Sequence, residues 1–329
     1  MLLSTIIPAY NEEACIAETI QNLYITLSKE HIGHEILVVN DNSRDGTEDI
    51  LRDLSNKIPS VRYINNNMPN GFGYAVRCGL ENFKGDCVAL FMADGSDLPE
   101  ELVTFYRKMV DEGYDAVFGS RFILGGKIVD YPKVKLILNR LANLFIRLLF
   151  GLKYNDITNA FKLYRKETIE GLKPFMAPHF NLTVELPLKT IVRKYTYTWL
   201  PNTWINRKAG ESKLKLKEMG SRYLFIVLYC LIEKYLTYGD YRKIEKAYRG
   251  LGEEGFDLIS SQFTIHYYFK DEITLRGYLQ NLSDNCRKGG YFIGTCYDGM
   301  KVFQTLQDKD KLEMIDEYNE KIYSITKKY

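Results

Sequence analysis

Apolar runs of strand length alternate with amphipathic helical stretches through the first third of this chain. Nothing else in its 329 residues restricts the fold as much. Residues 3–7, 36–39, 61–64, 88–91 and 116–118 read as short buried strands. Between them, Ile16, Ile20, Leu23, Tyr24 and Leu27 recur on one helical face, as do Ile50, Leu51 and Leu54, and then Val76 and Leu80. Asn11 is the expected N-cap of the first helix, with Glu12 and Glu13 in its first turn, and Thr47 the expected cap of the second. Gly71 and Gly73 lead into the third helix, and Pro99 stands near the start of a fourth. Strand and helix at this spacing predict an α/β domain with a twisted, largely parallel sheet.

The length suggests one large domain plus something smaller, and 46% hydrophobic residues suffice for a full core. With 44 Lys and Arg against 42 Asp and Glu, nothing in the overall charge points to nucleic acid as a partner. The six cysteines (Cys15, Cys78, Cys87, Cys230, Cys286, Cys296) show neither CxxC pairing nor metal-ligand spacing, and read as reduced thiols. Because a strand begins almost at Met1, no signal peptide is expected. No apolar run reaches the roughly 18 residues of a membrane span. The expected location is cytoplasmic.

The strand at 88–91 runs into Met92-Ala93-Asp94-Gly95-Ser96-Asp97. Ligands of open α/β sheets bind beyond the carboxyl ends of strands. Carboxylates and a hydroxyl at such an end suit a divalent cation, Mg2+ or Mn2+, able to carry a diphosphate. Arg121, Arg207 and Lys213 are the cations suited to phosphate oxygens, with Ser212 beside them. Together these residues suggest an enzyme that handles a nucleotide-diphosphate donor.

Two later stretches are apolar but studded with cations. Residues 133–152 carry Leu136, Leu138, Leu141, Leu144, Phe145, Leu148, Leu149 and Phe150 among Lys135, Arg140 and Arg147. Residues 222–236 follow a basic cluster that includes Lys208, Lys215 and Lys217. Core packing, a dimer seam, or docking on an anionic membrane surface each account for such helices.

The chain resembles family 2 glycosyltransferases of the GT-A fold, nearest to the polyprenyl-phosphate (dolichol-phosphate) mannosyl- or glucosyltransferases. The motifs are Ile6-Ile7-Pro8-Ala9-Tyr10-Asn11-Glu12-Glu13, Val39-Asn40-Asp41-Asn42-Ser43-Arg44-Asp45-Gly46-Thr47, Met92-Ala93-Asp94-Gly95-Ser96, Asp156-Ile157-Thr158-Asn159-Ala160-Phe161-Lys162, Glu185-Leu186-Pro187-Leu188-Lys189 and Arg207-Lys208-Ala209-Gly210-Glu211-Ser212-Lys213. They fall in the family's order within residues 1–236. The resemblance implies a nucleoside pocket lined by Pro8, Tyr10, Glu12 and Asp41, a metal held by Asp94 and Ser96, and phosphate contacts from Arg121, Arg207, Ser212 and Lys213. Catalysis would fall to Asp94, Arg207 and Lys213. It implies an inverting, metal-dependent transfer from a nucleotide-sugar to a polyprenyl-phosphate acceptor by a peripheral membrane protein.

Two positions depart from the family pattern. Met92 and Asn40 stand where relatives often carry Asp. A thioether is a poor ligand for a hard cation, so the metal must rely on Asp94, Ser96 or Asp97, water and phosphate. These departures also leave open a pseudo-enzyme with an interaction role. No His is expected near the candidate site, and Asp156 and Glu185 are the carboxylates available as a base. A lipid phosphate is already an anionic nucleophile and needs no base, whereas a saccharide hydroxyl does.

The pattern changes near Tyr238-Gly239-Asp240, giving an expected glycosyltransferase domain over 1–238 and a distinct segment over 239–329. Residues 255–302 resemble the middle of a messenger-RNA cap guanine-N7 methyltransferase. That resemblance implies that Gln262, Phe263, His266 and Tyr267 lie along the methyl-donor and cap-guanine pocket. The Gly-rich strand-to-helix turn needed to hold a nucleotide-like methyl donor is missing; Arg249-Gly250-Leu251-Gly252 is a remnant of it. The segment therefore reads as a small, incomplete α/β methyltransferase-like fragment, which argues against methyl transfer by this chain alone.

Overall fold

A computed structural model describes residues 1–206 and 216–236, then the backbone of four later strands. The chain forms two compact units, Met1–Ala247 and Tyr248–Tyr329.

In the first unit seven strands form one sheet. They are β1 (Leu3–Ala9), β2 (His34–Asn40), β3 (Val61–Asn65), β4 (Cys87–Leu90), β5 (Ala116–Ser120), β7 (Lys162–Arg165) and β8 (Tyr197–Pro201). Their order is β3-β2-β1-β4-β7-β5-β8. All pairings are parallel except those of β7, which runs antiparallel between β4 and β5. This mixed, mostly parallel sheet is the GT-A-like α/β architecture implied by the resemblance. A small parallel pair, β6 (Lys127–Val129) and β9 (Thr203–Ile205), lies outside the sheet.

Both faces of the sheet are covered, so its strands are apolar on both sides. Leu3 and Ile7 of β1 pack with α1 (Ile16–Lys29), α2 (Thr47–Lys57) and α4 (Pro99–Glu112). Ile6 of the same strand packs on the other face, with α3 (Phe72–Asn82), α5 (Lys133–Phe150), α6 (Lys166–Leu172), α7 (Leu182–Val192) and α8 (Leu216–Leu236). Charged pairs lock the outer helices. Arg193, at the end of α7, grips Glu233 of α8 at 2.6 and 3.1 Å, and Lys234 of α8 donates to the Phe150 carbonyl of α5 at 2.8 Å. No helix among the described residues is long and apolar enough to cross a membrane.

Two expected caps are corrected. Asn11 does not cap α1: it sits at φ 52, and the N-cap is Cys15. Its side chain instead accepts from Arg44 N–H at 2.8 Å, tying the loop after β1 to the loop after β2. Thr47 is the first residue of α2, not its cap. Asp45 Oδ1 accepts from Thr47 N–H at 3.1 Å, while the Thr47 hydroxyl accepts from Glu12 N–H at 2.9 Å. In both cases a local propensity yields to contacts between loops.

Within the second unit, β10 (Phe256–Gln262) pairs parallel with β11 (Cys286–Thr295), and β12 (Lys311–Ile315) pairs antiparallel with β13 (Lys321–Thr326). A parallel pair needs a long crossover between its strands. Phe263, His266 and Tyr267 lie outside the described residues, as do the surroundings of the Gln262 side chain.

Candidate active site

β1, β2 and β4 end side by side, with Ala9 opposite Asn40 and Ile6 opposite Leu90. Sequence order reverses at β1, so their carboxyl ends flank the switch point where open α/β sheets bind ligands. A cavity of about 830 Å³ opens there. Pro8, Tyr10, Glu12, Asp41, Asp94, Ser96 and Arg121 all line it, so the described members of the expected site are brought together. Arg207, Ser212 and Lys213 lie outside the described residues; they follow Asn206, which lines the same cavity.

Asp41 is buried and organises one end of the cavity. Its Oδ1 accepts from Asn66 Nδ2 at 2.7 Å and its Oδ2 from Gly71 N–H at 2.8 Å. Gly71 adopts φ +152, a conformation that side chains disfavour. Gly73, in the first turn of α3, lets another segment approach: a Cβ there would lie 2.4 Å from the Pro178 carbonyl carbon. That close packing, with Phe72 stacked on Phe180 at 4.3 Å, carries His179 into the cavity wall. No pattern in the sequence marks this histidine, which stands six residues before the Glu185 motif; tertiary packing brings it to the cavity. The expectation of no nearby His is thereby corrected.

The turn after β4 gathers oxygen atoms. Gly95, at φ +70, folds the chain so that Ser96 N–H donates to Asp94 Oδ1 at 3.2 Å, and Met92 N–H donates to Asp97 Oδ2 at 3.1 Å. Among the described residues the buried Ser96 hydroxyl has no hydrogen-bond partner. Burial, reinforced by the nearby Asp94 and Glu101 carboxylates, pushes the Asp97 carboxyl up to about 7. Among the described residues no three acidic, His or Cys side chains converge on a point; the turn presents the Asp94 and Asp97 carboxylates and the Ser96 hydroxyl to the cavity. This donor set fits a hard cation that takes its remaining ligands from water and phosphate.

Arg121 is buried with its fork on Asp156, Nε to Oδ2 at 2.8 Å and Nη2 to Oδ1 at 2.7 Å. It forms part of the cavity wall while Asp156 holds it from behind. Lys162 is buried beneath the same loop and donates to the carbonyls of Ile157 and Asn159; burial pulls its ammonium down to about 7. Glu185 is fully buried, paired with Lys189 at 2.6 Å, and accepts from the N–H groups of Met176 and Ala177. Neither Asp156 nor Glu185 lines the cavity.

Beyond the strand ends the cavity continues between α5 and α8, past Leu138, Phe145, Tyr223 and Leu224. Asn143, Ile146 and Phe150 turn the inner face of α5 into the core. Its outer face exposes Val134, Ile137, Leu141 and Leu148, the last 72% exposed, and α8 likewise exposes Phe225, Leu228 and Ile232. Arg140 at this edge stacks on Phe122 at 4.3 Å.

Residues 4–172 match the family model of glycosyl transferase family 2, and residues 234–328 match the mRNA (guanine-N(7))-methyltransferase domain. The chain is 31% identical over 221 residues to the undecaprenyl-phosphate mannosyltransferase of Micrococcus luteus, covering 65% of this chain and 88% of that protein. It is 31% identical over 215 residues to the polyprenol monophosphomannose synthase of Mycolicibacterium smegmatis, covering 64% and 79% respectively. Among solved structures, glucosyl-3-phosphoglycerate synthase of Mycobacterium tuberculosis, in complex with Mn2+, uridine diphosphate and phosphoglyceric acid, superposes with a TM-score of 0.54 at 20% identity. That match covers 70% of this chain and 78% of the other, and establishes the shared fold. From its strand-end motifs to its sheet order, the chain belongs to glycosyl transferase family 2.

Proposed function

We propose that this chain transfers a sugar from a nucleotide-diphosphate donor to a polyprenyl phosphate at a membrane surface, with inversion at the anomeric carbon. One observation carries this reading: a single cavity joins the polar strand ends, where a nucleotide fits, to an apolar channel between two helices whose outer faces are exposed and rimmed with cations. The similarity to polyprenyl-phosphate mannosyltransferases points the same way.

Pro8, Tyr10, Glu12 and Asp41 hold the nucleoside. Asp94 and Ser96 hold Mg2+ or Mn2+, which when bound neutralises charge on the donor diphosphate. An acceptor phosphate oxygen forms the new bond to the anomeric carbon as the bond to the diphosphate breaks on the opposite face. Arg207 and Lys213 stabilise the charge developing on the departing diphosphate, and Arg121 lends positive potential to the cavity wall. No base is needed, in keeping with the engagement of Asp156 and Glu185 elsewhere. The outer faces of α5 and α8 rest on the lipid, with Lys133, Lys135, Arg140 and Arg147 toward anionic headgroups.

His179 in the cavity wall favours a second reading, a saccharide acceptor whose hydroxyl gives its proton to that imidazole. One experiment separates the two. Radiolabelled GDP- and UDP-sugars are offered with Mn2+, together with undecaprenyl phosphate in vesicles or with soluble saccharides. Label in the organic phase that needs the lipid phosphate supports the first reading; label only on saccharide supports the second.

A further inference from the structure

We propose that Asp97 is a ligand of the divalent cation and supplies the carboxylate that position 92 lacks. This rests on the donor reading above and specifies how the metal is held. Met92 ends in a thioether, which a hard cation disfavours. Its own N–H, however, donates to Asp97 Oδ2 at 3.1 Å, so a carboxylate from five residues on stands against the backbone of position 92. Asp97 lines the cavity although it is only 4% exposed. Among the described residues no Lys or Arg makes an ion pair with it, and the nearby Arg121 fork is committed to Asp156.

A buried carboxylate facing a second carboxylate is unfavourable unless a cation lies nearby. Between Asp94 and Asp97 in sequence stands the Ser96 hydroxyl, also buried, also lining the cavity, and without a hydrogen-bond partner among the described residues. Asp94, Ser96 and Asp97 all line the same cavity, around the left-handed turn at Gly95. Two carboxylates and an unsatisfied hydroxyl lining one cavity form a donor set for a hard cation. The Met92 substitution is therefore a relocation of one ligand from the strand end to the following turn, not the loss of a metal site.

The test is Mn2+ binding to the full chain in the presence of GDP, and separately UDP, followed by the electron paramagnetic resonance signal of free Mn2+ and by thermal unfolding. The wild type should take up Mn2+ with one of the two nucleotides and gain in Tm. Asp97→Asn still accepts from Met92 N–H and removes a buried charge, so its metal-free Tm should equal or exceed that of the wild type. Its Mn2+ affinity should fall by about tenfold or more. Adding Met92→Asp to that variant should restore most of the loss. Met92→Asp alone should leave affinity within about twofold, because the carboxylate place is already filled. A large gain from Met92→Asp alone would overturn the assignment, whether or not the Asp97→Asn variant folds. So would wild-type Mn2+ affinity in Asp97→Asn while Asp94→Ala binds none, an outcome that keeps the metal and rejects only Asp97. Absence of Mn2+ uptake by the wild type with either nucleotide would overturn the donor reading itself, and this assignment with it.

Discussion

Asp156 holds Arg121 through three hydrogen bonds, from Nε, Nη2 and the backbone N–H, with both side chains withdrawn from solvent. The aspartate from the loop before β7 thereby fixes a cation that follows β5 in the wall of the cavity. The charge at the site and the loop's place in the fold depend on the same contact.

Asp156→Asn should accordingly cost about 3 kcal/mol or more of stability, since removing one member of a buried pair strands the other. Urea unfolding measures this. Arg121→Lys should also destabilise, because an ammonium cannot reproduce the two-point contact. A midpoint within error of the wild type for both variants would mean that the pair contributes little to the fold.

Glu35 provides a pH-dependent prediction. Burial raises its carboxyl, but hydrogen bonds from the Ser4 hydroxyl, Lys84 N–H and Arg62 outweigh it and set the group below its ordinary value of 4.5. A carboxyl lowered on folding stabilises above its unfolded value, and the contribution is lost as the pH falls through the folded one. Urea midpoints should therefore drop on acidification from about pH 4.5 downward. Glu35→Gln should flatten that part of the profile and cost roughly 1–3 kcal/mol at neutral pH. An unchanged acid limb in the variant would assign the sensitivity to other groups.

The early βα units were legible in the sequence because each strand is a continuous apolar run and each helix face recurs locally. After Ser120 this fails. β7 contains Lys162 and Arg165, and β8 is only half-buried along most of its length, so neither announces a strand. The antiparallel insertion of β7 between β4 and β5 is decided by contacts across the sheet. The site divides the same way. Pro8, Tyr10, Asp41 and Asp94 were visible because they stand in family motifs at or just past strand ends. His179, Trp204 and Tyr223 reach the cavity through tertiary packing that no local pattern encodes.

Arg207→Ala and Lys213→Ala test the proposed charge stabilisation. Each should lower kcat by a factor of about a hundred or more, on the order of 3 kcal/mol, with little change in the unfolding midpoint. Wild-type kinetics in both would reduce the pair to a solvated basic face.

The exposed apolar faces of α5 and α8 make the membrane reading measurable. Leu144 and Phe225 are each about half exposed, so Leu144→Glu and Phe225→Glu should leave folding almost unchanged. Burying such a side chain in lipid is worth about 1.5–3 kcal/mol, so each variant should bind anionic vesicles about tenfold less well. Co-sedimentation reads the effect directly, and equal binding by all three proteins would point to another partner for this face.

Removing the chain beyond about Tyr238 should leave sugar transfer intact. Every residue assigned to the reaction precedes that point, and so does the scaffold that positions them. α8 must be kept: Glu233 receives Arg193 from α7, the Arg222 carbonyl accepts from Asn181, and Lys234 reaches the end of α5. A cut at Asn206 would remove these ties and uncover the core around Ile226, Val227 and Cys230, so that shorter protein should fail to fold. The tail's sequence lacks the Gly-rich turn that holds a nucleotide-like methyl donor, so S-adenosylmethionine should not bind the full chain in calorimetry. A truncated protein that folds yet loses transferase activity would make the tail part of the enzyme. Cap methylation by the full chain would show that residues 234–328 form a working catalytic domain rather than a fragment of one.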